Sequence, residues 1–168
     1  MTILGIDPGT TRVGYGVIRK NGLGLSFVSA GILSVSDKKN SGEALFEIKK
    51  ELDKVIKKFK PEAVAVEKLF FAQNQKTAIK VAEARGVIIL SAAEAGLEIK
   101  EFSPNEMKSA ITGHGFADKR AVLKMVKLIL KEPGLKVIDD ASDALALAIL
   151  AATIQNSSRK QALDRNIG

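Results

Sequence analysis

The N-terminal residues 1–7 constrain the fold most, because they place a carboxylate at the end of an apolar strand. Apart from Thr2, residues 1–6 are apolar, which predicts a strand buried in a sheet. Pro8 biases Asp7 toward an extended backbone, and Pro8-Gly9 predicts a turn directly after it. Two interpretations of the Asp7 carboxylate are open at this point. It is either a turn former that bonds the local backbone or a functional group that faces the space beyond the sheet edge.

The remaining pattern predicts an α/β fold, with a mixed five-stranded sheet flanked by helices. Strand-like residues on either side of the glycine-containing segment 21–24 predict an antiparallel three-stranded meander with the first strand. Later strands alternate with helices, which predicts parallel crossovers. The predicted strands are 1–6, 13–19, 25–35, 63–66 and 98–102; the predicted helices are 43–59 with Ser41 as its N-cap, 74–95, one that begins at Ser103-Pro104, 118–131 and 140–155.

The last helix, 140–155, is almost entirely Ala, Leu and Ile, so we expect it to be buried nearly all round. Residues 156–168 are polar and lack periodicity, which predicts a flexible polar tail. We therefore expect one domain over residues 1–155, since 168 residues suffice for one core but not for two full lobes.

The composition points to a polyanionic partner. Lys and Arg number 26 against 19 Asp and Glu, a net charge of +7, as is typical of proteins that bind nucleic acid. No apolar run approaches the roughly 18 to 20 residues of a membrane span, and no leader pattern is present, so we expect no membrane association and a cytoplasmic location. With no Cys, disulfides and thiolate metal sites are excluded. Aromatic residues are only 5%, which disfavours a broad stacking platform.

Three further acids lie at the ends of predicted core elements. Glu67 follows the strand 63–66, while Asp140 and Asp143 are spaced i, i+3 on one side of the last helix. The simpler interpretation is that the aspartates, together with Asp139, cap the helix and complement its dipole, and that Glu67 is an exposed carboxylate.

Small residues accompany the two strand acids. Gly5 and Ala65 precede Asp7 and Glu67 by two positions, on the same strand faces, and we expect them to keep that face of the sheet open.

Taken together, the four acids predict a metal site. Four carboxylates in one place repel each other strongly, and two divalent cations would balance their charge. Oxygen ligands, with no Cys and one His in the chain, favour Mg²⁺, with Mn²⁺ as a possible substitute, over zinc. The chemistry that uses such a site is two-metal hydrolysis of phosphodiester bonds.

Four motifs carry a resemblance to a known family. Residues 5–18, 65–70, 82–87 and 139–148 closely resemble the RuvC family of bacterial Holliday-junction resolvases, and the likeness runs from Thr2 to about Thr153. The resemblance implies a ribonuclease H-like fold, a homodimer, two Mg²⁺ per active site, and symmetric nicking of two like-polarity strands of four-way junction DNA in recombination and repair. It also implies a branch-migration helicase complex as a partner.

The resemblance assigns roles by position. The metal-binding acids fall on Asp7, Glu67, Asp140 and Asp143. Asp139 is i, i+4 from Asp143, at a position where the family varies between acid and histidine, but the alignment through residues 143–145 favours Asp140 as the ligand.

DNA contacts are assigned in the same way. Phe70 falls where the family has an aromatic near the junction centre, and Phe70-Phe71 would suit a base-stacking wedge, although a core position is the alternative. Lys108 and Lys119 match basic positions near the scissile phosphate, where ordinary solvated lysines are the alternative.

Three further predictions concern helices and a loop. Arg120, Lys124 and Lys127 share a helical face and are predicted to track the DNA backbone. The helix that begins at Asn74 resembles the family's dimer element. His114 stands between glycines, and we expect it to be a loop residue rather than a catalyst.

Two other functions stay open. Asp-x-Gly-x-Thr after a strand, here residues 7–11 with a proline between the acid and the glycine, is also the phosphate loop of actin-like ATPases and sugar kinases. Those need two lobes and a second phosphate motif, for which this chain lacks room. The other alternative is a catalytically silent junction-binding protein, against which the four matching acids argue.

Overall fold

A computed structural model of the chain describes residues 1–9, 12–35, 40–68 and 75–165, with the backbone alone for 34, 75–77 and 155–165. It confirms the predicted order of elements. The strands are β1 (Thr2–Asp7), β2 (Arg12–Asn21), β3 (Gly24–Ser34), β4 (Ala63–Glu67) and β5 (Glu98–Phe102); the helices are α1 (Ser41–Phe59), α2 (Gln75–Glu94), α3 (Pro104–Thr112), α4 (Lys119–Leu130) and α5 (Asp139–Arg165). Within the described residues, none of the helices is both long and apolar enough to cross a membrane.

The five strands form one mixed sheet in the order β3-β2-β1-β4-β5. β1, β2 and β3 are antiparallel neighbours, whereas β1, β4 and β5 run parallel. Ile6 pairs with Val66, so the next residues along the two strands, Asp7 and Glu67, lie side by side at the carboxyl edge of the sheet. The predicted sheet is confirmed, and its register explains why two distant acids meet.

Helices cover both faces of the sheet. On one face, Leu4 and Ile6 pack in a core with residues of α1 and α2, such as Ile48 and Ile88. On the other face, Ile3 shares a core with residues of α3, α4 and α5. The alternation of side chains along a strand separates the two cores, and it places Asp7 on the side of α3, α4 and α5.

The central helix of the second core is α5. Residues 141, 142 and 144–152 are all buried, which confirms the prediction that this helix is covered nearly all round. Its length differs from the prediction, since α5 extends to Arg165 instead of ending at residue 155. The backbone of 156–165, predicted as a tail, is thus helical. Glycine and proline are absent from this segment, and its Lys, Gln, Ala, Leu and Arg residues are good helix formers.

The helix starts follow capping chemistry. The cap of α1 is Asn40 and not the predicted Ser41. The Asn40 side chain accepts the Glu43 N–H at 2.9 Å, and the Glu43 carboxylate accepts the Asn40 N–H at 3.3 Å. Glu43 lies three residues after Asn40, as a capping box requires, and this reciprocal pair makes Asn40 the cap. Ser103 caps α3 as predicted.

Candidate active site

Helix α5 rests directly on the backbone of β1 and β2, at glycines. A Cβ at Gly5 would overlap the carbonyl oxygen of Ala144, one at Gly14 would overlap the carbonyl of Asp140, and one at Gly16 would lie 2.6 Å from the backbone nitrogen of Leu145. Our expectation that Gly5 keeps the sheet face open was therefore wrong. The missing side chains instead admit the helix, whose first turn lies over the end of β1.

This crossing brings the four predicted acids together. Burial raises the pKa of Asp7 to about 8, with further increases from the charges of Glu67, Asp143 and Asp140. Burial, followed by the charge of Asp143, raises the pKa of Glu67 to about 7. Burial also raises the pKa of Asp143, and the charges of Asp139 and Asp140 add to this. The carboxylates therefore form one electrostatically coupled cluster at the sheet edge.

Asp139 and Asp140 were also considered as caps of α5, and neither is its N-cap. The carbonyl of Ile138 accepts the Ser142 N–H at 3.0 Å, so Asp139 and Asp140 occupy the first two helical positions and neither is the N-cap. Asp140 instead pairs with Arg12, whose Nε lies 3.5 Å from its Oδ2. Both aspartates still complement the helix dipole.

Two lysines from neighbouring helices face this cluster. Lys108 of α3 and Lys119 of α4 each lower the pKa of Glu67 and of Asp143, although burial keeps both pKa values raised. Lys119 also lies 3.6 Å from the Asp139 carboxylate, measured from Nζ to Oδ2. The structure thus places both predicted lysines beside the acids, where a phosphate would meet positive charge.

The donor chemistry fits hard divalent cations. Asp7, Glu67, Asp140 and Asp143 offer only carboxylate oxygens, the donors that Mg²⁺ prefers, and their mutual repulsion is of the kind that bound cations relieve. Among the residues that the structure describes, no three His, Asp or Glu side chains are drawn together as tightly as metal ligands are.

Besides Arg12, which pairs with Asp140, a second arginine at the site was missed in the sequence. Arg85 of α2 donates from Nε to the backbone carbonyl of Glu67 at 3.2 Å, and its guanidinium pairs with the Glu101 carboxylate of β5. Arg85 therefore ties the end of β4 to the neighbouring strand and fixes the position of Glu67. Residues 82–87 had stood out as a motif, but helical spacing alone does not reveal which strand end a helix faces.

The other predicted contact residues are more dispersed. Arg120, Lys124 and Lys127 share one face of α4, as predicted, and line a surface groove of about 670 Å³ together with Leu123, Leu128, Lys131 and Pro133. His114 lies in the loop between α3 and α4, which confirms its assignment to a loop. Phe70 and Phe71 lie outside the described residues.

Comparisons with known proteins show which family this chain is similar to. The model of the family described as crossover junction endodeoxyribonuclease RuvC matches residues 3–151. A protein of that name from Brachyspira hyodysenteriae is 45% identical over 154 residues, 91% of this chain and 94% of the relative. Another from a Roseiflexus species is 42% identical over 146 residues, 87% of each chain.

A solved structure is similar over nearly the whole chain. It is Thermus thermophilus RuvC in complex with Holliday junction substrate, with a TM-score of 0.87 and 34% identity over 94% of this chain and 96% of that one. The fold is accordingly ribonuclease H-like.

Proposed function

The chain belongs to the RuvC family of crossover junction endodeoxyribonucleases and is a Holliday junction resolvase, and we propose that it cuts with two Mg²⁺ ions held by Asp7, Glu67, Asp140 and Asp143. The cuts are symmetric, in two strands of like polarity. The ATPase alternative is not favoured, because the family match spans nearly the entire domain.

One observation carries the metal proposal: Asp7 and Glu67 end adjacent parallel strands, and the first turn of α5, which carries Asp140 and Asp143, packs against the same sheet edge at Gly14. In agreement with this, burial and the neighbouring acids raise the pKa of Asp7 to about 8 and that of Glu67 to about 7. These carboxylates lie where their charge is disfavoured by burial and by each other, which is the electrostatic setting that bound cations compensate. When bound, the two ions would activate a water molecule and stabilise the leaving oxygen. Mn²⁺ has similar ligand preferences and is expected to substitute.

The protein's own groups supply rigidity and charge. Asp7 and Glu67 end adjacent strands of the sheet, so their spacing is fixed by the backbone. Lys108 and Lys119 face the same cluster and bind the scissile phosphate in our proposal, where they offset the charge that develops during hydrolysis.

The outer face of α4 continues this positive charge away from the site. Lys119 begins the helix, and Arg120 and Lys124 follow along the groove. We assign to them contacts with the phosphate backbone of a junction arm, which strengthen binding without reading sequence. Phe70 is proposed as the stacking wedge near the junction centre.

A homodimer would provide the two sites that symmetric nicking needs, and α2 is its proposed interface. Two large apolar side chains on this helix, Ile79 and Leu90, are 62% and 53% exposed. Small exposed residues continue the same helical spacing, two of them between Ile79 and Leu90 and one after Leu90: Ala82, Gly86 and Ala93. Small residues flanked by apolar ones permit close packing of a second helix. Sedimentation of the wild type and of Leu90→Glu tests this, since the substitution is expected to yield monomers.

The proposed partner is a branch-migration helicase complex, and the proposed location is the cytoplasm. Such a complex would present the junction to the nuclease. Addition of a purified helicase complex to the cleavage assay is expected to change the positions of the cuts, whereas an unchanged cleavage pattern would contradict the partnership.

The cleavage assay tests the central proposal. A labelled four-way junction incubated with protein and Mg²⁺ should yield paired nicks that ligase reseals, and EDTA should abolish cutting while junction binding persists. Asp7→Asn should bind and fail to cut. Full activity of that variant, or activity in EDTA, would overturn the metal assignment. Binding without cutting by the wild type in Mg²⁺ and in Mn²⁺ would instead indicate a silent junction-binding protein.

A further inference from the structure

We infer that Phe116 is a DNA-contact residue, which stacks on a base of the junction strand held at the acid cluster. The inference rests on the proposed function and adds a residue that neither the four acids nor the basic helix face accounts for. Phe116 lies in residues 113–118, the loop between α3 and α4.

The Phe116 ring is presented to solvent. The residue is 84% exposed, and among the large hydrophobic residues in the described part of the chain only Leu23, in the turn between β2 and β3, is more exposed. Burial of a phenylalanine side chain normally stabilises a fold. Single exposed hydrophobic residues are common on protein surfaces, so exposure makes the ring available to a partner, and the structure of its loop and the nearby charge distinguish Phe116 from Leu23.

His114 holds the loop around Phe116 in one conformation. The His114 Nδ1 accepts the Phe116 N–H at 3.1 Å, and the His114 carbonyl accepts the Ala117 N–H at 3.1 Å. The His114 and Phe116 rings meet edge to face, with centroids 5.9 Å apart.

Thr112 anchors the same loop to α3. Its hydroxyl oxygen accepts the His114 N–H at 3.1 Å and lies 2.8 Å from the carbonyl oxygen of Lys108. The ring is thus oriented in advance, so stacking on a base would require little further ordering of the protein.

Phe116 precedes by three residues a cation that reaches the acid cluster. Lys119 begins α4, and its Nζ lies 3.6 Å from the Oδ2 of Asp139, the residue before the proposed metal ligand Asp140. A second large apolar residue is exposed at this position, since Ile138, directly before Asp139, is 49% exposed. An aromatic ring next to cations that attract phosphate is the usual composition of a contact to unpaired or distorted nucleic acid. This charge favours DNA over a protein partner.

The absence of tryptophan from the chain allows a direct test. Phe116→Trp introduces a single tryptophan at the proposed contact, and Leu23→Trp introduces one at a remote exposed turn as the matched control. Each variant is titrated with a four-way DNA junction in EDTA, so that binding is observed without cutting. Emission of Phe116→Trp is expected to fall at least about twofold on saturation, while that of Leu23→Trp stays constant.

Cleavage in Mg²⁺ provides the second measurement. Phe116→Ala is expected to cut the junction about 10-fold more slowly, or to bind it about 10-fold more weakly, as is typical for loss of one stacked base, and Phe116→Trp should restore wild-type behaviour. Because the ring is exposed, both variants should melt like the wild type. Unchanged emission of Phe116→Trp at saturation, or wild-type binding and cleavage by Phe116→Ala, would overturn the contact. If the wild type itself neither binds nor cuts junctions, the proposed function fails as well. Failure of the Phe116 contact alone leaves the wild type active, so the two failures can be distinguished.

Discussion

Gly14 and Asp140 lie so close together that no side chain fits between them, because a Cβ at Gly14 would overlap the carbonyl group of Asp140. Gly14 is also the partner of Asp7 in the β1–β2 pairing. The absence of one side chain on β2 therefore allows the first turn of α5 to reach the strand end that carries Asp7. The acid cluster depends on a glycine as much as on its carboxylates.

Gly14→Ala should damage the site and the fold together. The added methyl group must push the start of α5 away from β2, which typically costs about 1 to 3 kcal/mol for overpacking of this kind. We expect the melting temperature to fall by roughly 3 to 10 °C and junction cleavage to fall by about 10-fold or more, because Asp140 and Asp143 move with the helix. Gly134→Ala is the matched control, since a Cβ there meets no atom within 4 Å. Wild-type cleavage by Gly14→Ala would show that the close approach is unimportant.

The sequence predicted the elements of this site better than their contacts. Strand patterns and the Asp-Pro-Gly turn correctly indicated that Asp7 ends a buried strand, and the apolar run after Asp143 correctly indicated a buried helix. Both signals are local, because periodicity reports which side of an element is covered. The close approach at Gly14 is not local. A glycine in a strand does not indicate which distant segment of the chain will pack against it.

The contacts of two arginines were missed for the same reason. Arg12 pairs with Asp140 on an element far away in the chain, and Arg85 pairs with Glu101 of the strand that follows its helix. Neither contact follows from helix or strand periodicity, so sequence spacing could not assign them. The end of α5 was also misjudged, because the polar composition of 156–165 suggested a tail although its residues favour a helix.

Asp7→Asn should stabilise the metal-free protein at alkaline pH. The pKa of Asp7 rises from 3.8 to about 8 on folding, so the folded state keeps a proton that the unfolded chain releases. The stability from this group is fully present below about pH 4, the pKa of the unfolded chain, and is lost progressively as pH rises from there to about 8. In EDTA, the melting temperatures of wild type and variant should agree best near pH 4 and separate as pH rises, and the variant should melt roughly 5 °C or more higher at pH 9.

Two controls accompany this measurement. Glu51→Gln removes an exposed carboxylate of α1 that pairs with Lys54, and such a pair contributes little to stability, so its melting temperature should follow the wild type at both pH values. Mg²⁺ at pH 9 should raise the melting temperature of the wild type more than that of Asp7→Asn. Equal pH dependence of wild type and Asp7→Asn would contradict the assigned burial and repulsion.

Lys108→Ala and Lys119→Ala should each lose more cleavage than binding. Both lysines lower the pKa of Glu67 and Asp143, so their removal raises those pKa values further and withdraws positive charge from the phosphate position. We expect the cleavage rate to fall by about 10-fold or more, the pH profile of cleavage to move to higher pH, and junction affinity to change by less than about threefold. Lys54→Ala, on the opposite helix layer, is the control. An unchanged pH profile with normal turnover would return both residues to ordinary surface lysines.

Arg85→Lys should reveal whether Arg85 positions Glu67. Lysine keeps the charge but lacks the planar fork that allows Arg85 to hold the Glu67 carbonyl and the Glu101 carboxylate at once. The end of β4 should then shift relative to β5, and Glu67 with it, while Asp7 stays in place on β1. We expect about 10-fold slower cleavage and an increase in the Mg²⁺ concentration needed for half-maximal rate, measured by titration of the cleavage assay. Glu101→Gln, which weakens one arm of the same link, should give a smaller change in the same direction. If Arg85→Lys melts at a lower temperature yet shows the wild-type Mg²⁺ dependence, Arg85 supports only the fold and does not position Glu67.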